Sequence, residues 1–224
     1  HCPTAATMPL SRRKRLLAKA QELDAIIVED DYEFEMSFLE PALPALKSLD
    51  NDGRVIYVGS FSKSLFPGMR LGYLVGPATF IKEARALRAS VFRHPPGHIQ
   101  RTAAYFLSLG HYDALIKRMS KQYEERYLEM EKSLTKFDLT IAGKAQHGGS
   151  SFWVETPKCT NAIKLAQKLL EMDVVIEPGD PFFVGENHPK NFIRLAYSSI
   201  STNKIAAGVE LIAKAISDTG PITA

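Results

Sequence analysis

Two short apolar runs, Val55-Ile56-Tyr57-Val58 and Gly72-Tyr73-Leu74-Val75, flank a loop that carries a single lysine among serines: Gly59-Ser60-Phe61-Ser62-Lys63-Ser64-Leu65-Phe66-Pro67-Gly68-Met69-Arg70-Leu71. A third run, Ala25-Ile26-Ile27-Val28, precedes them. This third run is continuously apolar rather than alternating, as expected for a parallel strand covered on both faces, and the two that follow it also read as buried strands. Ser11 followed by Arg12 to Leu23 predicts an N-capped helix, since Leu16, Leu17, Ala20 and Leu23 share one face. Helix, strand, connection and strand in this order predict an α/β layered domain.

Helical periodicity returns from Thr79 to Phe92 and from His98 to Leu109, with Gly110 as a C-terminal stop. Leu115, Met119, Tyr123, Tyr127, Met130, Leu134 and Phe137 then recur every three or four residues among charges, the pattern of one long helix with an apolar stripe. Beyond residue 138, short strands near Ser151-Val154, Val174-Ile176 and Phe192-Ala196 alternate with helices near 161–171 and 202–216, a smaller α+β unit. The expected division is residues 1–110, a helix over 111–137 that joins the parts rigidly, and residues 138–224.

Composition narrows the function. A net charge of +3 gives no reason to expect direct nucleic-acid binding. Two cysteines, Cys2 and Cys159, cannot form a disulfide framework and fit a reducing compartment, so a cytoplasmic location is expected. No stretch has the length of apolar residues that a membrane-spanning helix needs. The start, His1-Cys2-Pro3-Thr4, reads as a cut from something longer. The histidines lack ligand spacing with cysteines or carboxylates, so no metal site is expected.

The chemistry concentrates in three places. The serine-rich loop offers an amine at Lys63, hydroxyls at Ser60 and Ser62 and a guanidinium at Arg70, the set that a phosphorylated aldehyde cofactor needs for its imine and its phosphate. A solvated turn with an ordinary lysine is the alternative. Val28-Glu29-Asp30-Asp31-Tyr32 places three acids at the end of an apolar run, where they would repel unless a cation drew them in; a helix N-cap or a solvated turn is the plainer reading of an acidic pair after a strand. Near the end, Asn191-Phe192-Ile193-Arg194-Leu195-Ala196 sets one arginine within an apolar strand, where it needs an anionic partner and the nearby sequence offers no acidic residue.

The stretch Phe61-Ser62-Lys63-Ser64-Leu65-Phe66-Pro67-Gly68-Met69-Arg70-Leu71-Gly72-Tyr73 resembles the Schiff-base segment of fold-type I aminotransferases, and most resembles the MocR branch of GntR-type regulators. The resemblance implies an aspartate aminotransferase-like PLP-dependent transferase fold: a partial large domain with a mainly parallel sheet, and a smaller α+β C-terminal domain. It implies pyridoxal 5'-phosphate as cofactor, held as an internal aldimine on Lys63. It gives Asp30 the pyridinium nitrogen, with Asp31 as the other candidate, Tyr32 the phenolic oxygen, and Ser60, Ser62 and Arg70 the phosphate. Arg194 is implied to grip the substrate's α-carboxylate.

His1-Cys2-Pro3-Thr4-Ala5 resembles the family's His-Asn-Pro-Thr-Gly turn, with Cys2 in place of the cofactor-touching Asn and Ala5 in place of Gly. The segments 148–153 and 176–183 also resemble the small domain, lining the cleft. On the family's pattern, about 100 residues or more of the large domain precede this chain. Two functions follow from the resemblance. One is amino transfer between an amino acid and a 2-oxo acid. The other is effector sensing, without efficient turnover, in a transcription regulator whose DNA-binding domain lies elsewhere. A homodimer is implied, and no membrane partner.

Overall fold

The computed structural model of the chain describes residues 1–143 and 145–218, which divide into two compact bodies. The lysine-bearing body comprises Met8–Glu35 and Pro41–Met119; the arginine-bearing body comprises His1–Thr7, Met36–Glu40 and the described residues from Ser120 onward.

The lysine-bearing body contains α1 (Leu10–Glu22), β1 (Ile27–Asp31), α2 (Leu46–Leu49), β2 (Val55–Ser60), β3 (Gly72–Val75), α3 (Ala78–Val91), α4 (Gly97–Ser108) and the start of α5 (His111–Lys136). Pro9, not Ser11, is the cap residue of α1, and its fixed φ suits the extended geometry there. β1 starts later than the apolar run and takes in the acids through Asp31, because its register with β2 pairs Ile27 with Val55 and Asp31 with Gly59. That pair is parallel, whereas β2 and β3 are antiparallel, so the sheet is mixed.

The expectation of strands covered on both faces does not hold. Val55 and Tyr57 are buried on one face, while Val28 on the other is 65% exposed and Leu74 47%. Tyr73 and Val75, on the face of Val55 and Tyr57, are also 44% exposed, so β2 alone of the three strands has a buried face among the described residues.

The arginine-bearing body holds the rest of α5, β4 (Thr140–Ile141), β5 (Ser151–Glu155), α6 (Ala162–Leu170), β6 (Glu177–Pro178), β7 (Phe192–Ala196) and α7 (Thr202–Ser217). Its sheet runs β4-β5-β7-β6, antiparallel throughout. The strand expected at Val174-Ile176 forms instead at Glu177–Pro178, where pairing with Arg194 and Ile193 is available. Phe152, Val154, Ile193 and Leu195 turn inward onto Tyr127, Met130 and Leu134 of α5, Leu165 and Leu169 of α6, and Ile205, Val209 and Ile212 of α7. Each such aliphatic side chain contributes about 1.5–3 kcal/mol by leaving water, which makes this cluster the main source of the body's stability. In the N-terminal turn Ala5 takes a left-handed conformation, φ +54°, and its amide donates to the His1 carbonyl at 2.8 Å.

Candidate active site

Strand alternation separates the three acids of β1. Glu29 and Asp31 project to one face and Asp30 to the other. Glu29 accepts the Leu46 and Lys47 amides at 2.7 and 2.9 Å, at the N-terminus of α2. Asp31 accepts the Tyr57 hydroxyl at 3.1 Å. Burial raises its pKa, the Tyr57 bond opposes that, and the charge of Glu29 adds to the rise. Burial, followed by the charge of Asp31, in turn pushes the Tyr57 phenol well above its ordinary value. Asp30 is exposed, with no cationic partner among the described residues.

Register places Asp30 beside Val58, two residues before Ser60, so Asp30 and Ser60 emerge on the same sheet face. Across β2 and β3, Gly59 pairs with Tyr73 and Ser60 with Gly72. A Cβ at Gly59 would sit 2.2 Å from the Tyr73 ring, so only glycine lets that ring cover the strand where the loop begins. Phe61 packs against Tyr73, 5.4 Å between centroids, and edge-on against Tyr112 at 6.1 Å. Tyr112 donates to Glu35, and burial, then that bond, raises its pKa.

On this aromatic floor the lysine loop is compact. The Phe61 amide donates to Leu71 O at 3.0 Å, the Ser62 amide to Ser60 Oγ at 3.2 Å, and the Leu65 amide to Phe61 O at 2.9 Å. Lys63 is 41% exposed along its side chain, with Nζ 3.9 Å from Glu33 Oε1. Residues 67–69 form one short helical turn, after which Arg70 takes a left-handed conformation, φ +49° and ψ +41°. That conformation costs a non-glycine residue roughly 1–2 kcal/mol. Arg70 is exposed and has no acidic partner among the described residues.

Arg194 lies in the other body. Its Nε donates to Ser151 Oγ at 2.9 Å and its Nη1 to Glu177 Oε2 at 2.7 Å. The expectation that it lacks an acidic neighbour is therefore wrong. Glu177 is directly opposite Arg194 across β6 and β7, a partner that only strand register reveals. Of the sites expected from sequence, the structure gathers Asp30, Tyr32, Ser60, Ser62, Lys63 and Arg70 in one body and Arg194 in the other. Glu33 beside Lys63 and Glu177 beside Arg194 are additions that sequence reasoning missed.

The family model described as "Aminotransferase class I and II" matches residues 1–212. The chain is 56% identical to the HTH-type transcriptional regulator TauR of Rhodobacter capsulatus, over 96% of the chain and 45% of that protein. It is 32% identical to the 2-aminoadipate transaminase of Thermus thermophilus, over 96% of the chain and 54% of that protein. Among solved structures, the kynurenine aminotransferase of Pyrococcus horikoshii, in complex with PMP, superimposes with a TM-score of 0.89 at 31% identity, covering 97% of the chain and 54% of its own. The chain thus spans about half the length of the relatives it matches.

Proposed function

Since the chain belongs to the class I and II aminotransferase family, we propose that it holds pyridoxal 5'-phosphate on Lys63 and serves amino transfer between an amino acid and a 2-oxo acid. The observation that carries this reading is the convergence of an amine, two hydroxyls and a guanidinium on one loop at the end of β2, with the Asp30 carboxylate on the same sheet face as Ser60. Arg70 and Asp30 each lack an intrachain counter-charge among the described residues, which fits one anionic and one cationic group on the same ligand.

When bound, the cofactor supplies a protonated aromatic ring that takes up negative charge from the substrate's Cα. Asp30 favours the protonated ring nitrogen by its charge. Ser60, Ser62 and Arg70 donate to the phosphate, and the Tyr32 hydroxyl to the phenolic oxygen. Lys63 Nζ would hold the cofactor, and it is the amine placed to carry the Cα proton. Arg194 grips the α-carboxylate through its planar fork, sharing its guanidinium with Glu177 or exchanging that partner.

The 56% identity to TauR favours a second reading: an effector-sensing domain of a MocR/GntR-type regulator that binds its amino acid without efficient turnover, with DNA contacted only by another domain. A homodimer is part of both readings, supported by the exposed apolar surface of α3. The two exposed, unpaired cysteines suit a cytoplasmic setting.

One titration tests the site. With pyridoxal 5'-phosphate, the chain should form a borohydride-reducible adduct that mass spectrometry maps to Lys63 and that Lys63→Ala lacks. Added amino acid should alter its visible spectrum, with a midpoint raised about 30-fold or more in Arg194→Lys. An adduct on another lysine overturns the Lys63 assignment; an unchanged midpoint overturns the role of Arg194. Many turnovers with a 2-oxo acid select the enzyme, and a spectral change without net conversion selects the sensor.

A further inference from the structure

The sheet of the arginine-bearing body has a second face, turned away from Phe152, Val154, Ile193 and Leu195. Trp153 of β5 and Glu177 of β6 are the register partners of Arg194 on its two sides, so alternation puts all three on this face. Trp153 stacks on Phe192 there, 5.3 Å between centroids.

The two printed partners of the Arg194 guanidinium differ in kind. Ser151 is buried, and its hydroxyl takes the Nε–H at 2.9 Å, which orients the guanidinium plane. Glu177 takes Nη1–H at 2.7 Å, yet its side chain is 47% exposed against 18% for Arg194, and it stands on the edge strand of the sheet. Its backbone is pinned on both sides of Pro178: Glu177 pairs with Arg194, and the Gly179 amide donates to Phe192 O at 2.7 Å. A Cβ at Gly179 would lie 2.7 Å from the Trp153 ring, so only glycine lets the chain pass the indole here. Side-chain rotation alone can therefore turn the Glu177 carboxylate into water, while Ser151 keeps Arg194 in place.

Arg194 and Glu177 together are electrically neutral. The pair attracts an anion less than a lone guanidinium does, and any further negative charge on the ligand is repelled by Glu177. We propose that Glu177 is a specificity-determining residue of this subsite: it holds Arg194 in the unliganded protein, yields it to the incoming carboxylate, and from beside it disfavours amino acids with an acidic side chain relative to neutral ones. The proposal rests on Arg194 as the anchor of the α-carboxylate, and it names the charge class of the amino acid that the anchor takes.

L-Glutamine and L-glutamate are the probes, since they are nearly equal in shape and differ by one charge. Each is titrated into the cofactor-loaded chain with two readouts, the visible spectrum of the cofactor and the emission of Trp153, the single tryptophan of the chain. Removing the internal competitor in Glu177→Gln should lower the midpoint for glutamine by about 3-fold, the scale of one half-exposed ion pair. The midpoint for glutamate should fall by about 10-fold or more, because a repulsion between like charges is removed as well. Should Glu177→Gln fail to fold by circular dichroism, Glu177→Thr, which suits an edge strand, should give the same two shifts. Equal shifts for the two ligands, or unchanged midpoints, overturn the proposal when Arg194→Lys still weakens both ligands. An Arg194→Lys chain that binds both as the parent does overturns the anchor reading itself.

Discussion

Asp30 and Asp31 are adjacent in the chain, yet the pleat of β1 sends them to opposite faces. Asp31 is engaged by Tyr57, and burial makes it harder to ionise. Asp30 is exposed on the face that also carries Ser60. A group meant to keep a ring nitrogen protonated must not be committed elsewhere, and Asp30 meets that condition where Asp31, held by the Tyr57 hydroxyl, does not. Asp30→Asn should therefore leave the unfolding midpoint nearly unchanged and slow conversion of the Lys63-bound cofactor by amino acid by orders of magnitude. Asp31→Asn should act chiefly on stability, because it disturbs a half-buried hydrogen bond worth about 1 kcal/mol. Single-turnover absorbance and urea unfolding on both variants separate the two roles, and the reverse pattern would transfer the role to Asp31.

At the scale of elements, the turn from α2 into β2 sets where the lysine loop begins, and Asp50 organises it. Its carboxylate, only 2% exposed, accepts the amides of Asp52, Arg54 and Val55 at 3.2, 3.1 and 2.9 Å and the Lys47 ammonium at 2.9 Å. Burial opposes its charge, but the bonds from Val55, Lys47 and Arg54 outweigh burial and hold its pKa at about 2. A carboxylate with a depressed folded-state pKa stabilises the fold above its unfolded value, near 4, and that contribution fades as pH falls through about 2. The shift corresponds to roughly 2 kcal/mol. Asp50→Asn should lose about that much at pH 7 and show a flatter decline between pH 4 and pH 2 in urea unfolding; parallel pH profiles for the two proteins would contradict it.

Turn chemistry of this kind was not legible in the sequence, because Asp50 looked like any polar loop residue. β2 and β3 were legible as apolar runs, and the long helices by apolar residues recurring every three or four positions. β4 and β6, two residues each, display neither pattern. The lysine loop could be read because its chemistry falls within a dozen consecutive residues. The Glu177–Arg194 pair could not, because seventeen positions separate its members and only β6–β7 pairing brings them together.

For the molecule as a whole, the distribution of apolar surface bears on association. α3 buries none of its residues, and Leu87, Val91 and Phe92 on and just beyond it are 68, 62 and 75% exposed. Leu87 and Val91 are one helical turn apart and Phe92 adjoins them, so they form a stripe and not scattered single residues. Covering a side chain of this size gains about 1.5–3 kcal/mol, while joining two rigid bodies costs about 4–15 kcal/mol. Three side chains on each of two copies are comparable with that cost, and a two-fold arrangement uses the same stripe twice. Removing two of the three from each copy leaves too little. The homodimer reading therefore predicts that the chain sediments as a dimer at micromolar concentration, and that Leu87→Glu combined with Val91→Glu converts it to monomer. Both positions are solvent-facing within the protomer, so the far-UV circular dichroism and the borohydride-reducible adduct at Lys63 should persist in the double variant. A monomeric parent chain, or a double variant that still sediments as a dimer, would remove α3 from the interface.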